Sequence, residues 1–327
     1  MDKLTKRTTR PHPERMRFLK RVVFLLIVVT GLAVSGRGGV AVAASKPQAA
    51  IGDTQYATLA KAVRAVKASE TITVLRNITT KKRLTLSTGR TYTIDFNGCT
   101  YRYTGSASAF RLTAGSVTIK NASKLISASG LFNTRAGTSL TLYNGRYKGQ
   151  IISRGNLKIY AGTYSDGGAS VCEDGLIRNF GSLTVRGGRF VNRLGAVLEN
   201  RRGNASLVSG TFQDKGQGAA CCIRNRAGIQ ITGGTYDAPI YNEKGSIFIG
   251  SGTFWCDKGI PLCVVKGQIT VSGGDFYATK SGLAADVQDG ARLNVSGGRF
   301  HGLSMRRTSG GKITVTSRLS IRVEVTD

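Results

Sequence analysis

Between residues 140 and 300 one phrase recurs eight times: an apolar residue, any residue, an apolar residue, two variable ones, Gly, any residue and an aromatic. It closes at Tyr147, Tyr164, Phe190, Phe212, Tyr236, Phe254, Phe276 and Phe300, and a glycine stands two places before each aromatic. Successive closures lie 17, 26, 22, 24, 18, 22 and 24 residues apart, a mean of about 22. That period is too short for a four-stranded propeller blade and suits one turn of a stacked solenoid. A unit of this size cannot bury an apolar face by itself, so neighbouring units must cover one another.

Within the phrase, strict alternation as in Leu183-Thr184-Val185 and Ile269-Thr270-Val271 describes a strand whose apolar side chains point inward and whose polar ones point out. The glycine lets the chain bend, and the aromatic returns to the interior above its counterpart in the next turn. No stretch of the repeat region carries a helical period. A second register precedes the phrase, where Asn133, Asn179, Asn200, Asn225 and Asn242 stand four to seven residues ahead of its first apolar position. Asparagines stacked at a bend can hydrogen-bond from turn to turn and satisfy backbone groups that the corner leaves unpaired, so they are expected to hold the fold together.

Ahead of the repeats, residues 1–21 carry eight Lys or Arg and lead into a largely apolar run over 22–34, followed by Ala41-Val42-Ala43. A run of thirteen residues falls short of the ~20 a membrane-spanning helix needs. The pattern reads as a secretory signal peptide over 1–43, with an uncleaved N-terminal anchor as the alternative and the only expected route to a membrane. A linker over 44–50 follows, then a single elongated domain over 51–327. Leu59, Ala62, Val63 and Val66 fall at helical spacing before the β-rich stretch Thr71-Ile72-Thr73-Val74-Leu75. A short helix there would cover the first turn, which otherwise exposes its core and an unpaired strand edge. The domain therefore divides into a cap over 51–75, coils over 76–312 and a C-terminal end over 313–327.

The opening Tyr56-Ala57-Thr58-Leu59-Ala60-Lys61-Ala62-Val63 with its following strand, and the phrase Ile229-Gln230-Ile231-Thr232-Gly233-Gly234-Thr235-Tyr236 after Asn225, resemble the right-handed parallel β-helix of the pectate-lyase-like superfamily. Within it, they resemble the secreted surface repeat proteins of Gram-positive bacteria. The resemblance implies an all-β solenoid with a short N-terminal capping helix, and a bacterial, extracellular or cell-surface location. About eleven coils rising ~4.8 Å each would make a rod on the order of 50 Å long. The short intervals of 17 and 18 imply clipped loops, and the interval of 26 implies a protruding one around residues 165–173. The scaffold is shared by lyases, hydrolases and adhesins, so function has to be argued from the surface.

Without residues 1–43 the chain has 38 basic and 16 acidic residues, a net +22. Export makes nucleic acid an unexpected target, whereas acidic glycans or cell-wall polymers would be drawn by the same field. Glycoside hydrolysis ordinarily needs two carboxyl groups flanking the scissile bond, and Glu173-Asp174 is the only adjacent acidic pair in the mature chain. A polysaccharide lyase would abstract a proton beside a uronate with a Lys or Arg base, often aided by Ca²⁺ held by aspartates. Basic side chains abound, but the acidic cluster for calcium does not show in the sequence, and no catalytic residue is assigned.

Arg154, Arg178, Arg201, Arg202, Arg224, Arg226 and Lys266 fall near one corner of successive coils, where they would present repeated cations to carboxylate or sulfate groups. An ordinary charged rim is the competing explanation. The six cysteines all lie beyond the signal, and Cys256 and Cys263 are close enough in sequence to staple one loop. No metal site or cofactor is expected, and His301, the only histidine after residue 43, reads as structural. The expectation is a secreted or surface-associated β-helix that binds anionic polysaccharide or acts as a structural module, with a uronate polysaccharide lyase as the alternative.

Overall fold

The computed structural model describes residues 46–168, 170–216, 221–257, 259–316, 319 and 321–326. The expected signal peptide lies outside them. The described chain is a parallel β-solenoid of three sheets, to which each turn contributes one strand apiece, as in Ser139–Leu142, Gly145–Lys148 and Ile151–Ser153. The sheets hold 14, 11 and 12 strands, and in each the neighbours are strands from successive turns. Those three strands show how the sequence is used. The alternating part of the phrase builds the first sheet, Gly-x-aromatic builds the second, and the segment ending in the Asn register builds the third.

The N-terminal end is closed by a hairpin and a helix. Strands β1 (Ala49–Ile51) and β2 (Thr54–Tyr56) pair antiparallel, and β1 also runs antiparallel to β3 (Thr71–Val74). This strand takes up Ala49 and Ala50, the last two residues of the segment read as a linker. The helix α1 spans Leu59–Ala65, with Thr58 as N-cap accepting a hydrogen bond from the Lys61 N–H. It buries Leu59, Ala62 and Val63 against the first turn. The antiparallel hairpin and the helix remove the edge that a bare first coil would expose. At the other end Val323–Thr326 still pairs parallel with Ser304–Thr308, so stacking continues past residue 312. Among the described residues no helix is long and apolar enough to cross a membrane.

Register is strict. Leu140, Leu157, Leu183, Ala205, Ile229, Ile247, Ile269, Leu293 and Ile313 are successive partners along the first sheet. A slip by one residue would turn every one of these side chains outward, which is why register is firmly specified here. The aromatics that close the phrase form a continuous internal ladder from Tyr147 to Phe300, with adjacent ring centroids 4.7–5.0 Å apart and planes within 6–13° of parallel. Tyrosine and phenylalanine alternate freely because each tyrosine hydroxyl finds a local carbonyl. Tyr164 donates to Ala161 at 2.9 Å and Tyr236 to Gly233 at 3.0 Å. Burial raises the pKa of both phenols.

The glycine ahead of each ring is required by space as well as by angle. Gly162 has φ +114° and Gly234 φ +99°, and a Cβ at either would sit 2.8 Å from the carbonyl oxygen of the equivalent glycine one turn earlier.

The third sheet carries a buried amide ladder. The side-chain amide of Asn179 donates to Asn200 at 2.8 Å, Asn200 to Asn225 at 2.9 Å and Asn225 to Asn242 at 2.8 Å, and all four residues are fully buried. Remaining donors go to corner carbonyls, such as Gly181 from Asn179 and Ala227 from Asn225. Asn133 departs from the expectation. It occupies the outward centre of Phe132–Thr134, and Thr134 takes the inward position, with its hydroxyl 3.4 Å from that of Ser153. The shorter Thr and Ser side chains end the ladder before Asn179.

The loop over 165–173 is held down at its base. Asp166 is buried, and its carboxylate accepts the N–H groups of Gly168 and Arg193 at 2.7 and 2.9 Å. A short 3-10 turn, Ser170–Cys172, buries Cys172. Glu173 and Asp174 are exposed, and Asp174 pairs with Arg178 rather than facing a second carboxylate.

Candidate functional site

The third sheet and the corner after it form the face on which the expected basic residues gather. In the three-residue strands of this sheet the central residue points outward, and pairing sets Ile152, Arg178, Glu199, Arg224 and Tyr241 in one column. The residue just past the inward position forms a second column at the corner. There the backbone N–H groups of Phe180, Arg201, Arg226 and Glu243 donate to Ser153, Asn179, Asn200 and Asn225, each one turn earlier. Arg154 belongs to the same column. Arg202 and Lys266 lie one step further on, in corners of three residues rather than two, with their N–H groups donating to Asn179 and Asn242. The seven residues thus share one face but fall in three registers, two of which expose cations directly at the corner.

Most of these arginines already have partners. Glu199 is almost wholly buried and accepts from Arg178 Nε at 2.8 Å and from Arg201 Nη1 at 3.0 Å. Glu243 is reached by Arg224 Nε at 3.3 Å and Arg226 Nε at 2.6 Å, and its hydrogen bond raises the pKa of Arg226. Phe180 sits among three guanidinium groups, with Arg154, Arg178 and Arg201 at 5.2, 5.7 and 5.9 Å from the ring centre. Contacts of this kind hold a guanidinium in place while leaving its charge available to a ligand. Arg202 and Lys266 make no ion pair among the described residues. The face is therefore a charge mosaic, positive at its rim and internally neutralised at Glu199 and Glu243.

Sequence reasoning passed over Lys244, Arg111 and Arg135. Lys244 lies between Arg226 and Lys266 at the same corner, its N–H donating to Asn225. Arg111 and Arg135 belong to turns that precede the first complete phrase, where Phe110-Arg111-Leu112 and Phe132-Asn133-Thr134 stand in for the later Ile-x-Asn segments. The two phenylalanines in the place of the later isoleucines were the available signal. The outer aromatic ladder of Trp255, Tyr277 and His301 was also not anticipated. Its centroids are 5.0 and 4.1 Å apart, and His301 Nε2 lies 3.6 Å from Asp275. Because these rings turn their faces toward one another, they offer mainly edges to solvent.

Cys256 ends the second-sheet strand Thr253–Cys256, and Cys263 is the outward centre of Leu262–Val264; the two are not bridged to each other. Burial pushes the Cys263 thiol up to about 12 and Cys221 up to about 11. Among the described residues no three His, Cys, Asp or Glu side chains are grouped so as to hold a metal ion. No family model, no curated protein and no solved structure matches this chain.

Proposed function

We propose that this β-solenoid is a secreted or surface-associated binding module for anionic polysaccharide, engaged along the third sheet and its corner. The observation that carries this reading is that successive turns deliver basic side chains, in three adjoining registers, to one face of a chain of net charge +29. Repeated cations on one face suit a polymer with repeated acidic groups, which gains affinity from many weak contacts. The pairing of Arg178, Arg201, Arg224 and Arg226 with Glu199 and Glu243 fixes their geometry, so less side-chain entropy is lost on binding. Kinship with the pectate-lyase-like superfamily and its Gram-positive surface repeat proteins belongs to this reading, and rests on the capping segment and the repeated phrase.

Chromatography on immobilised polygalacturonate and immobilised dextran sulfate tests it, with unmodified dextran as control. The protein should be retained by at least one acidic matrix and elute earlier as salt rises. Elution indistinguishable from the neutral control discards the proposal. Ultraviolet absorbance of unsaturated products, followed with soluble uronate polymers, decides against a purely binding role if it appears.

A further inference from the structure

Upstream of the paired arginines the same face opens into a cavity of about 300 Å³, lined by Arg83, Arg111, Arg135 and Arg154 together with Ser108 and Asn133. No carboxylate lines it. Arg111 is the outward centre of Phe110–Leu112, beside Asn133 in the neighbouring strand. Arg135 follows Thr134 at the corner, its N–H donating to Leu112 at 2.9 Å, and Arg154 takes the equivalent place one turn later. Two of the four are anchored by neutral acceptors only. Arg83 Nε donates to the Ser108 carbonyl at 3.1 Å, and Arg154 Nη1 to Asn133 Oδ1 at 3.0 Å. Arg111 and Arg135 make no side-chain hydrogen bond and no ion pair among the described residues.

The contrast with the next turns is chemical. Glu199 and Glu243 neutralise Arg178, Arg201, Arg224 and Arg226, whereas here four guanidinium groups converge without a counter-charge. Mutual repulsion among them is a cost to the fold, and an arriving oxyanion would relieve it. A concave site focuses the field of its charges, and guanidinium forks match carboxylate and sulfate oxygens in pairs.

We propose that this cavity is a discrete subsite for a single oxyanion-bearing sugar unit, uronate or sulfated, and that it contributes more to recognition than the paired arginines downstream. This rests on the acidic-glycan reading above and assigns its principal contact. The volume stands at the small end of ligand pockets, which run from about 300 to 1,000 Å³, so it fits a short segment and not a long stretch of polymer.

Titration calorimetry of the full chain with a galacturonate trisaccharide and with a sulfated disaccharide tests the assignment. One ligand should bind per chain, and the stronger of the two identifies the oxyanion. The double variant Arg111→Gln/Arg135→Gln should bind that ligand at least about tenfold more weakly, since each lost charge-assisted bond is worth roughly that factor. Lys158→Gln/Lys312→Gln, at exposed positions of the first-sheet strands Asn156–Ile159 and Lys312–Val315, should change it less than about twofold. Equal urea midpoints for the variants and the parent exclude a folding defect as the cause. Unchanged affinity in the Arg111/Arg135 variant, or retention of the parent on an acidic polymer without binding of either short saccharide, overturns the cavity assignment alone. Failure of the parent to bind polymer and short saccharide alike overturns this assignment together with the function it deepens.

Discussion

Replacing Asn225 with alanine cuts the amide ladder of the third sheet at its third rung. In the folded protein Asn225 accepts from Asn200 at 2.9 Å and donates to Asn242 at 2.8 Å, with all three residues fully buried. Asn200 keeps a bond to the Gly228 carbonyl at 3.0 Å, so its amide is not orphaned. The oxygen of Asn242 loses its donor inside the core. Asn225 also exchanges hydrogen bonds with the Ala227 backbone at 2.9 and 3.1 Å, so with each lost net hydrogen bond worth about 1 kcal/mol and a buried acceptor left unpaired costing roughly 1–3 kcal/mol, the total is at least about 3 kcal/mol. Asn133→Ala is the control, because that side chain faces outward and its loss should cost no more than about 0.5 kcal/mol. Urea unfolding followed by circular dichroism reads both. Since solenoid stability is roughly a sum of nearest-neighbour terms, amide exchange at Ile223 and Ile240 should show the loss concentrated around the altered turn. A cost for Asn225→Ala no larger than that for Asn133→Ala would refute the ladder as a stabilising element. Asn225→Val sharpens the comparison, because Val264 and Val287 already occupy later places in the same column. If valine restores stability, packing and not the amide is what the position demands.

Gly234→Ala should destabilise by roughly 1–3 kcal/mol, since it forces an alanine to φ +99° against a carbonyl oxygen, and thermal melting would show this. Glu243→Gln should strengthen retention on an acidic matrix by releasing Arg224 and Arg226; weaker or unchanged retention would mean that these guanidinium groups do not meet the ligand. The hydrogen bond from Arg299, with a smaller contribution from His301, lowers the pKa of Asp275 below its ordinary value of 3.8. Its stabilising effect is therefore present above that value and lost as pH falls through the lower folded one, so the effect of Arg299→Gln measured at neutral pH should vanish in unfolding experiments acid enough to protonate Asp275 in the folded protein. Alkylation of the native protein by iodoacetamide, read by mass spectrometry, should modify half-buried Cys99 before Cys172 and Cys222, whose thiols burial holds high; the reverse order would contradict the placement of these residues in the core.

Much of the fold is written locally in the chain. The alternation Leu-x-Val, the obligatory glycine and the returning aromatic each express a backbone or packing constraint that acts within a few residues, so the turn, its inward face and its stacking were legible from sequence. The capping helix was legible for the same reason, through Leu59, Ala62 and Val63. What sequence spacing did not reveal was which residues become neighbours across turns of unequal length. Asn133 shares the spacing of the Asn register, yet faces outward because Thr134 holds the inward place in its strand. The pairing of Glu199 with Arg178 and Arg201, and of Glu243 with Arg224 and Arg226, joins residues up to 21 positions apart and depends on the register of the third sheet. Arg83, Arg111, Arg135 and Arg154 converge only because four turns deliver them to one concave stretch. Backbone propensity and burial act locally and so appear in the order of residues; charge neutralisation acts through space and is decided when the turns stack.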